Sequence, residues 1–209
     1  MNKVLVIGAT GQVGQMVIDR LASKGIAVRA MVRDSDKAKF SSNVEVVEAD
    51  IEGDFSHVLN GCSHVIFTAG SGADTGFDKT LLVDLWGARK AIDFALGARI
   101  DQFIMVSSRG ADNPDKGPER IKPYLVAKHF ADEYLKASGL PYTILQPGRL
   151  LDADGTGYVR TDRPEAPEAQ IISRDDTANA VIHCLGNTST FNKVYELFIG
   201  DHAIDELLI

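Results

Sequence analysis

Residues Lys3 to Gly14 read K-V-L-V-I-G-A-T-G-Q-V-G, and no other stretch restricts the fold so narrowly. An apolar, β-prone run, Val4 to Ile7, leads straight into Gly8-x-x-Gly11-x-x-Gly14, and a helical pattern of Val13, Met16, Val17 and Leu21 follows at once. Strand, glycine turn and helix in that order are what a dinucleotide-binding fingerprint requires. Glycines let the backbone turn sharply and approach a pyrophosphate closely. The helix N-terminus then offers free N–H groups and the positive end of its dipole to that anion.

The remainder of the chain repeats the alternation. Strand-like runs are expected at Lys3–Gly8, Ala27–Val32, Val44–Glu48, His64–Ala69, Gln102–Ser107 and Tyr142–Gln146. Helical patterns lie between them at about Gln12–Ser23, Asp54–Asn60, Phe77–Leu96 and Pro123–Ala137. Short buried strands alternating with helices imply right-handed crossovers and a parallel sheet, that is, a doubly wound α/β Rossmann fold. Its ligand is expected outside the carboxyl ends of the strands. The 209 residues suffice for one such domain, spanning 1–209. After Gly148 the composition shifts, and Asp152 to Glu168 is rich in Asp, Gly, Pro and Glu. A short strand is expected at Gly157–Thr161, a helix at Asp175–Leu185 with Ser173 as N-cap, a strand at Lys193–Ile199 and a short tail helix. Residues 149–209 are therefore expected to form a small cap over the carboxyl edge of the sheet.

Residues at the ends of successive strands are candidates to select and hold a cofactor. Arg33 closes the second strand, 19 residues beyond Gly14. An NAD-preferring fold places an acidic residue about here to accept from the ribose 2′-OH. A guanidinium instead binds a 2′-phosphate through charge-assisted hydrogen bonds, so NADP(H) is expected over NAD(H). Lys37 and Lys39 would add positive charge nearby. Asp50 can accept from an adenine amino group while Ile51 packs on the ring, although an Asp here also suits a plain turn. Ala69 and Gly70 are small enough to let a cofactor pass close to the sheet edge.

Ser107 and Ser108 end the fifth strand, and 16 residues beyond Ser108 comes Tyr124-Leu125-Val126-Ala127-Lys128. Pro123 suits a first helical turn, and the i, i+4 spacing puts Tyr124 and Lys128 on one face. A phenol is a poor acid–base catalyst at neutral pH, and a nearby ammonium favours its ionised form. Lys128 can also bond the nicotinamide ribose, while a serine hydroxyl polarises the substrate oxygen.

With these residues in view, the chain resembles an atypical short-chain dehydrogenase/reductase, related to the NAD(P)-dependent epimerase/dehydratase and NmrA-like groups. The resemblance rests on Gly8 to Gly14, Asp50-Ile51, Val83 to Ala88, Val106-Ser107-Ser108, Tyr124 to Lys128 and Gln146-Pro147-Gly148. It implies catalytic roles for Ser108, Tyr124 and Lys128. It also implies that Thr10, Gln12 and Val13 line the pyrophosphate, and that Ser107 and the segment Pro147, Gly148 to Leu150 touch the nicotinamide side. Extended members of that superfamily carry Asn in an N-x-x-G pattern where this chain has Asp84 before Leu85-Trp86-Gly87. An ionised Asp only accepts hydrogen bonds, so Asp84 is expected to pair with Lys128 or to relay protons at a different pH.

Composition narrows the partners. A net charge of −7 without a basic run argues against a nucleic-acid footprint. No apolar stretch approaches a membrane span, and an opening strand is not a signal peptide, so a cytoplasmic protein is expected. Cys62 and Cys184 are read as reduced packing thiols, and the five histidines show no metal-ligand spacing. The expected function is NADP(H)-dependent hydride transfer to a small carbonyl, quinone or flavin-like acceptor, by a monomer or a homodimer paired through the Phe77–Leu96 helix. A non-catalytic NADP(H) sensor is the alternative from a different class. A sugar epimerase or dehydratase is a third, against which the short segment after Gly148 argues.

Overall fold

Successive side chains of a strand point to opposite faces, and β1 (Lys3–Ile7) uses this to serve two cores at once. Val4 and Val6 enter one apolar cluster with Val17, Ile18 and Leu21, while Leu5 and Ile7 enter the other with Phe55, Phe67 and Ile92. The computed structural model describes residues 3–72 and 74–209. Around β1 stand β2 (Val28–Val32), β3 (Val44–Glu48), β4 (Cys62–Phe67), β5 (Gln102–Val106) and β6 (Tyr142–Pro147). They pair in parallel in the order β3-β2-β1-β4-β5-β6, the strand order of a doubly wound Rossmann sheet. Strands buried on both faces read as continuous apolar runs, which is why Val4–Ile7 and Phe103–Val106 announce themselves so clearly.

α1 (Gln12–Ser23) covers one face of the sheet, with Val13, Val17, Ile18 and Leu21 buried. The other face is covered by α3 (Ala88–Ala98) and α4 (Lys122–Ala137). Two helical expectations change form. The Asp54–Asn60 pattern is only a single 3-10 turn, Ser56–Leu59, enough to bury Val58 and Leu59 beside Phe55. The expected Phe77–Leu96 helix is composite: α2 (Phe77–Lys79), a π-helical stretch Thr80–Gly87, then α3. π segments are rare and concentrate at functional sites. This one carries the fully buried Asp84, and it presses Gly87 so close to Ile51 that a Cβ there would lie 2.7 Å from Ile51 Cγ1.

The last sixty residues add strands to the sheet. β10 (Lys193–Ile199) adds to β6 in parallel, and α5 (Arg174–Cys184) packs beside α1. β8 (Tyr158–Arg160) pairs antiparallel with β10, and β11 (His202–Ala203) pairs antiparallel with β8 as the outermost strand, followed by α6 (Ile204–Leu207). Ser173 caps α5 by accepting from the Asp176 amide at 2.8 Å and donating to the Asp176 carboxylate at 2.9 Å. The other Asp176 oxygen accepts from the Gly157 amide at 2.7 Å and so pins the loop before β8. β7 (Arg149–Leu151) and β9 (Ile171–Ser173) form a separate two-stranded parallel sheet. At three residues each, they are too short to leave a periodic signal.

Candidate functional site

The carboxyl ends of β1 to β6 open onto one cleft made of two contiguous cavities of about 370 and 620 Å³. They share the glycine turn at Gly11 and the strand-end residues Thr68 to Ser71. Gly8 turns at φ +90°, and a Cβ on it would lie 2.5 Å from the Ala69 nitrogen. A Cβ on Gly14 would overlap the Gly8 carbonyl oxygen and stand 2.9 Å from Thr68 Oγ1. Both glycines are therefore demanded by close backbone approach. Thr68, which the motif reading passed over, completes the turn: its hydroxyl faces the Ile7 and Gly8 carbonyls at 3.1 and 3.2 Å. Gly11 brings no side chain to the N-terminus of α1, so the first amides of that helix carry no side-chain cap.

The smaller cavity gathers Gly8, Thr10, Arg33, Asp50, Ile51, and the Ala69-Gly70 pair. Arg33 is exposed and, among the described residues, makes no ion pair. Lys37 is turned to Asp34 at 2.7 Å instead. Asp50 uses one carboxylate oxygen to accept from the Glu52 amide at 2.9 Å, the turn role that its spacing also allowed. Ile51 is nearly buried and floors the cavity.

The larger cavity contains Gln12, Val13, Asp84, Ser107, Tyr124, Lys128, Pro147 and Leu150. Tyr124 and Lys128 project from one face of α4, as their spacing requires. Lys128 is buried; its Nζ donates to the Val106 carbonyl at 3.1 Å and lies 3.8 Å from Asp84 Oδ1. The second Asp84 oxygen accepts from the Ser71 amide at 3.0 Å, while Oδ1 has no hydrogen-bond partner among the described residues.

Two of the expected site residues stand apart from this cleft. Ser107 lines it and Ser108 does not: consecutive residues of an extended chain face opposite ways, and the Ser108 hydroxyl donates to the Arg109 carbonyl at 3.2 Å. Gly148 joins β6 to β7, its amide donating to the Leu197 carbonyl at 2.9 Å, with the Gln170 carbonyl so close that a Cβ would lie 2.6 Å from its oxygen.

One functional-looking residue escaped the motif reading. Asp132 is buried on α4, and its Oδ2 accepts from Ser107 Oγ at 2.7 Å and from Gln146 Nε2 at 2.9 Å. Its other oxygen has no partner among the described residues. Burial pushes this carboxyl above the usual carboxylate range, against the downward pull of the Gln146 and Ser107 hydrogen bonds. The available signal was spacing: Tyr124, Lys128 and Asp132 repeat every four residues along one helix face. The Asp132 bond also sets the polarity of Ser107. With its only hydrogen directed inward, Ser107 turns lone pairs towards the cleft.

Among the described residues no helix is long and apolar enough to cross a membrane, and no group of three or more His, Cys, Asp or Glu side chains could hold a metal.

Residues 8–188 match a family model described as NAD(P)H-binding. The chain is 46% identical over 212 residues to an uncharacterized sugar epimerase, YhfK, of Bacillus subtilis (strain 168), covering 99% of this chain and 98% of that one. A solved structure from Bacillus halodurans, named as a candidate NAD-dependent epimerase/dehydratase, superposes with a TM-score of 0.93 at 40% identity, covering 99% of this chain and 98% of the other. The oxidoreductase ylbE from Lactococcus lactis superposes with a TM-score of 0.87 at 29% identity, with 99% and 94% covered.

Proposed function

The chain belongs to the NAD(P)H-binding family, and from that premise we propose that it is an NADP(H)-dependent oxidoreductase acting on a small carbonyl, quinone or flavin-like acceptor. The observation that carries this reading is a single cleft that runs from the Gly8–Gly14 turn to the Tyr124–Lys128 face of α4. The residues present fit a dinucleotide. The turn leaves the first amides of α1 without a side-chain cap, Ile51 offers an apolar floor, and Arg33 offers a guanidinium that makes no ion pair among the described residues. Gly8, Thr10, Gly11, Gln12 and Val13 would hold the diphosphate, Arg33 the 2′-phosphate, Asp50 and Ile51 the adenine. Ala69 and Gly70 would border the cofactor's path, and Ser107, Lys128, Pro147 and Leu150 the nicotinamide end.

When bound, the nicotinamide supplies the hydride. Tyr124 donates the proton to the acceptor oxygen, since its hydroxyl makes no hydrogen bond among the described residues and stands in the cleft. Lys128 is fixed by the Val106 carbonyl and faces Asp84 beneath the site. Ser107 accepts from a ligand donor and does not polarise a carbonyl, because Asp132 holds its hydrogen. Polarisation therefore falls to Tyr124 alone.

The test follows NADPH absorbance while aldehydes, quinones, flavins and tetrapyrroles are presented to wild type and Tyr124→Phe. Turnover is expected to fall roughly 10²- to 10⁴-fold in Tyr124→Phe with NADPH affinity unchanged. Turnover indifferent to the substitution would remove Tyr124 from the mechanism and assign the proton to solvent. The oxidoreductase name of the Lactococcus relative agrees with this reading, whereas the other two relatives are named for epimerase chemistry, so a nucleotide sugar belongs in the panel. One observation favours the sensor as a second reading: Lys128 is already committed to Val106 and Asp84. NADPH binding without turnover on any acceptor would decide for it.

A further inference from the structure

A dinucleotide brings a diphosphate, yet residues 8 to 14 contain no Lys or Arg. Three cations line the larger cavity: Lys128, Arg120 and Arg174. Lys128 is buried and engaged with Val106 and Asp84. Arg120 belongs to the turn Glu119–Ile121, just before Tyr124, on the acceptor side. Arg174 is the cation that remains for the region beside Gln12.

Arg174 opens α5, directly after its Ser173 cap, where the backbone is held by the Ser173–Asp176 hydrogen bonds. Its Nη1 donates to Asp152 Oδ1 at 2.8 Å, and Gln12 Nε2 donates to that same oxygen at 3.1 Å. One carboxylate oxygen is thus held between an amide and a guanidinium, both of which line the cleft. A phosphate oxygen would use the same two donors. Asp152 lies just past β7 and its side chain is 71% exposed, against 21% for Arg174. An exposed carboxylate is readily rehydrated, so this pair is weak and easily exchanged.

From this convergence we infer that Arg174 is a ligand of the cofactor diphosphate, and that Asp152 is an internal anion that occupies its guanidinium until a phosphate oxygen replaces it. The inference rests on the cofactor reading above. It makes Arg174 a binding residue and Asp152 a competitor, so the two substitutions act in opposite directions.

The experiment is calorimetric titration at low salt with NADPH, inorganic pyrophosphate and adenosine 2′-monophosphate, which lacks the diphosphate. Arg174→Gln is expected to weaken NADPH roughly 10- to 100-fold, as for loss of a charge-assisted hydrogen bond. It should abolish pyrophosphate binding while leaving adenosine 2′-monophosphate unchanged, which also reports that the variant is folded. Asp152→Asn should tighten NADPH and pyrophosphate about 2- to 5-fold, the size of an exposed ion pair. Arg174→Lys should recover part of the loss. An Arg174→Gln affinity within twofold of wild type overturns the assignment. Weakening by Asp152→Asn overturns the competitor role, since Asp152 would then be orienting Arg174. Failure of wild type to bind NADPH at all would instead overturn the cofactor reading beneath it.

Discussion

The two halves of the cleft are made of different material. Around Gly8, Gly14 and Thr68 the walls are backbone, brought so close that a single Cβ has no room. Around Lys128 the walls are charge: Asp84, Lys128 and Asp132 are all at most 2% exposed. Backbone walls tolerate no added atom but are indifferent to pH and to partner side chains. Charged walls tolerate changes of shape, but each buried ion depends on its neighbours to offset its desolvation. Damage to the first half should therefore be steric and local. Damage to the second should depend on which partner is left behind.

The largest expected effect tests that dependence. Lys128→Met leaves Asp84 buried opposite a neutral chain, and loss of one partner from a buried pair costs about 3–5 kcal/mol. Tm should fall on the order of 10 °C. The double variant Lys128→Met with Asp84→Asn should recover much of that loss in thermal melts. Strict additivity of the two substitutions would break the comparison, because it would mean that the pair is uncoupled.

The glycine half is probed by Gly14→Ala. Its new methyl overlaps the Gly8 carbonyl, and overpacking of this kind costs about 1–3 kcal/mol, more than the helix propensity gained. The loss should be the same at pH 5 and pH 8 in a melting series. A pH-dependent loss would show that charge reaches this half as well.

The smallest effect separates the halves by sign. The folded chain keeps the Asp132 proton to a higher pH than the unfolded chain does, because burial raises that carboxyl. Wild-type stability therefore falls as pH rises from the ordinary Asp value of about 3.9 through the raised folded value, and levels off above it. Asp132→Asn keeps an acceptor for Ser107 and Gln146 but removes the titration. Its Tm should match wild type at the acidic end and exceed it at neutral pH. An equal gap at every pH would refute the buried-carboxyl account.

The legibility of the chain follows the same division. Gly8, Gly11 and Gly14 stand next to one another in sequence because a tight strand–turn–helix is a local structure. The alternation of Val4, Leu5, Val6 and Ile7 reports a strand buried on both faces without help from elsewhere. Tyr124 and Lys128 were legible as a pair because helix geometry joins i to i+4. The Asp54–Asn60 pattern misled because a few apolar residues at helical spacing cannot tell one 3-10 turn from a helix. β7 and β9 left no trace because strands of three residues carry no period.

The alternation of strands and helices and the glycine turn thus follow from short-range pattern, since hydrogen-bond geometry and side-chain alternation act over a few residues, whereas the strand order rests on pairings such as Val4 with His64 between distant segments. Folding in three dimensions had to settle the rest. It turned Ser107 and not Ser108 to the cleft, placed Asp132 behind it, and brought Asp152 and Arg174 to Gln12 across a separation of 140 residues or more. Those outcomes depend on which distant groups are left to satisfy a buried charge or a free donor, and that is known only once the elements have packed.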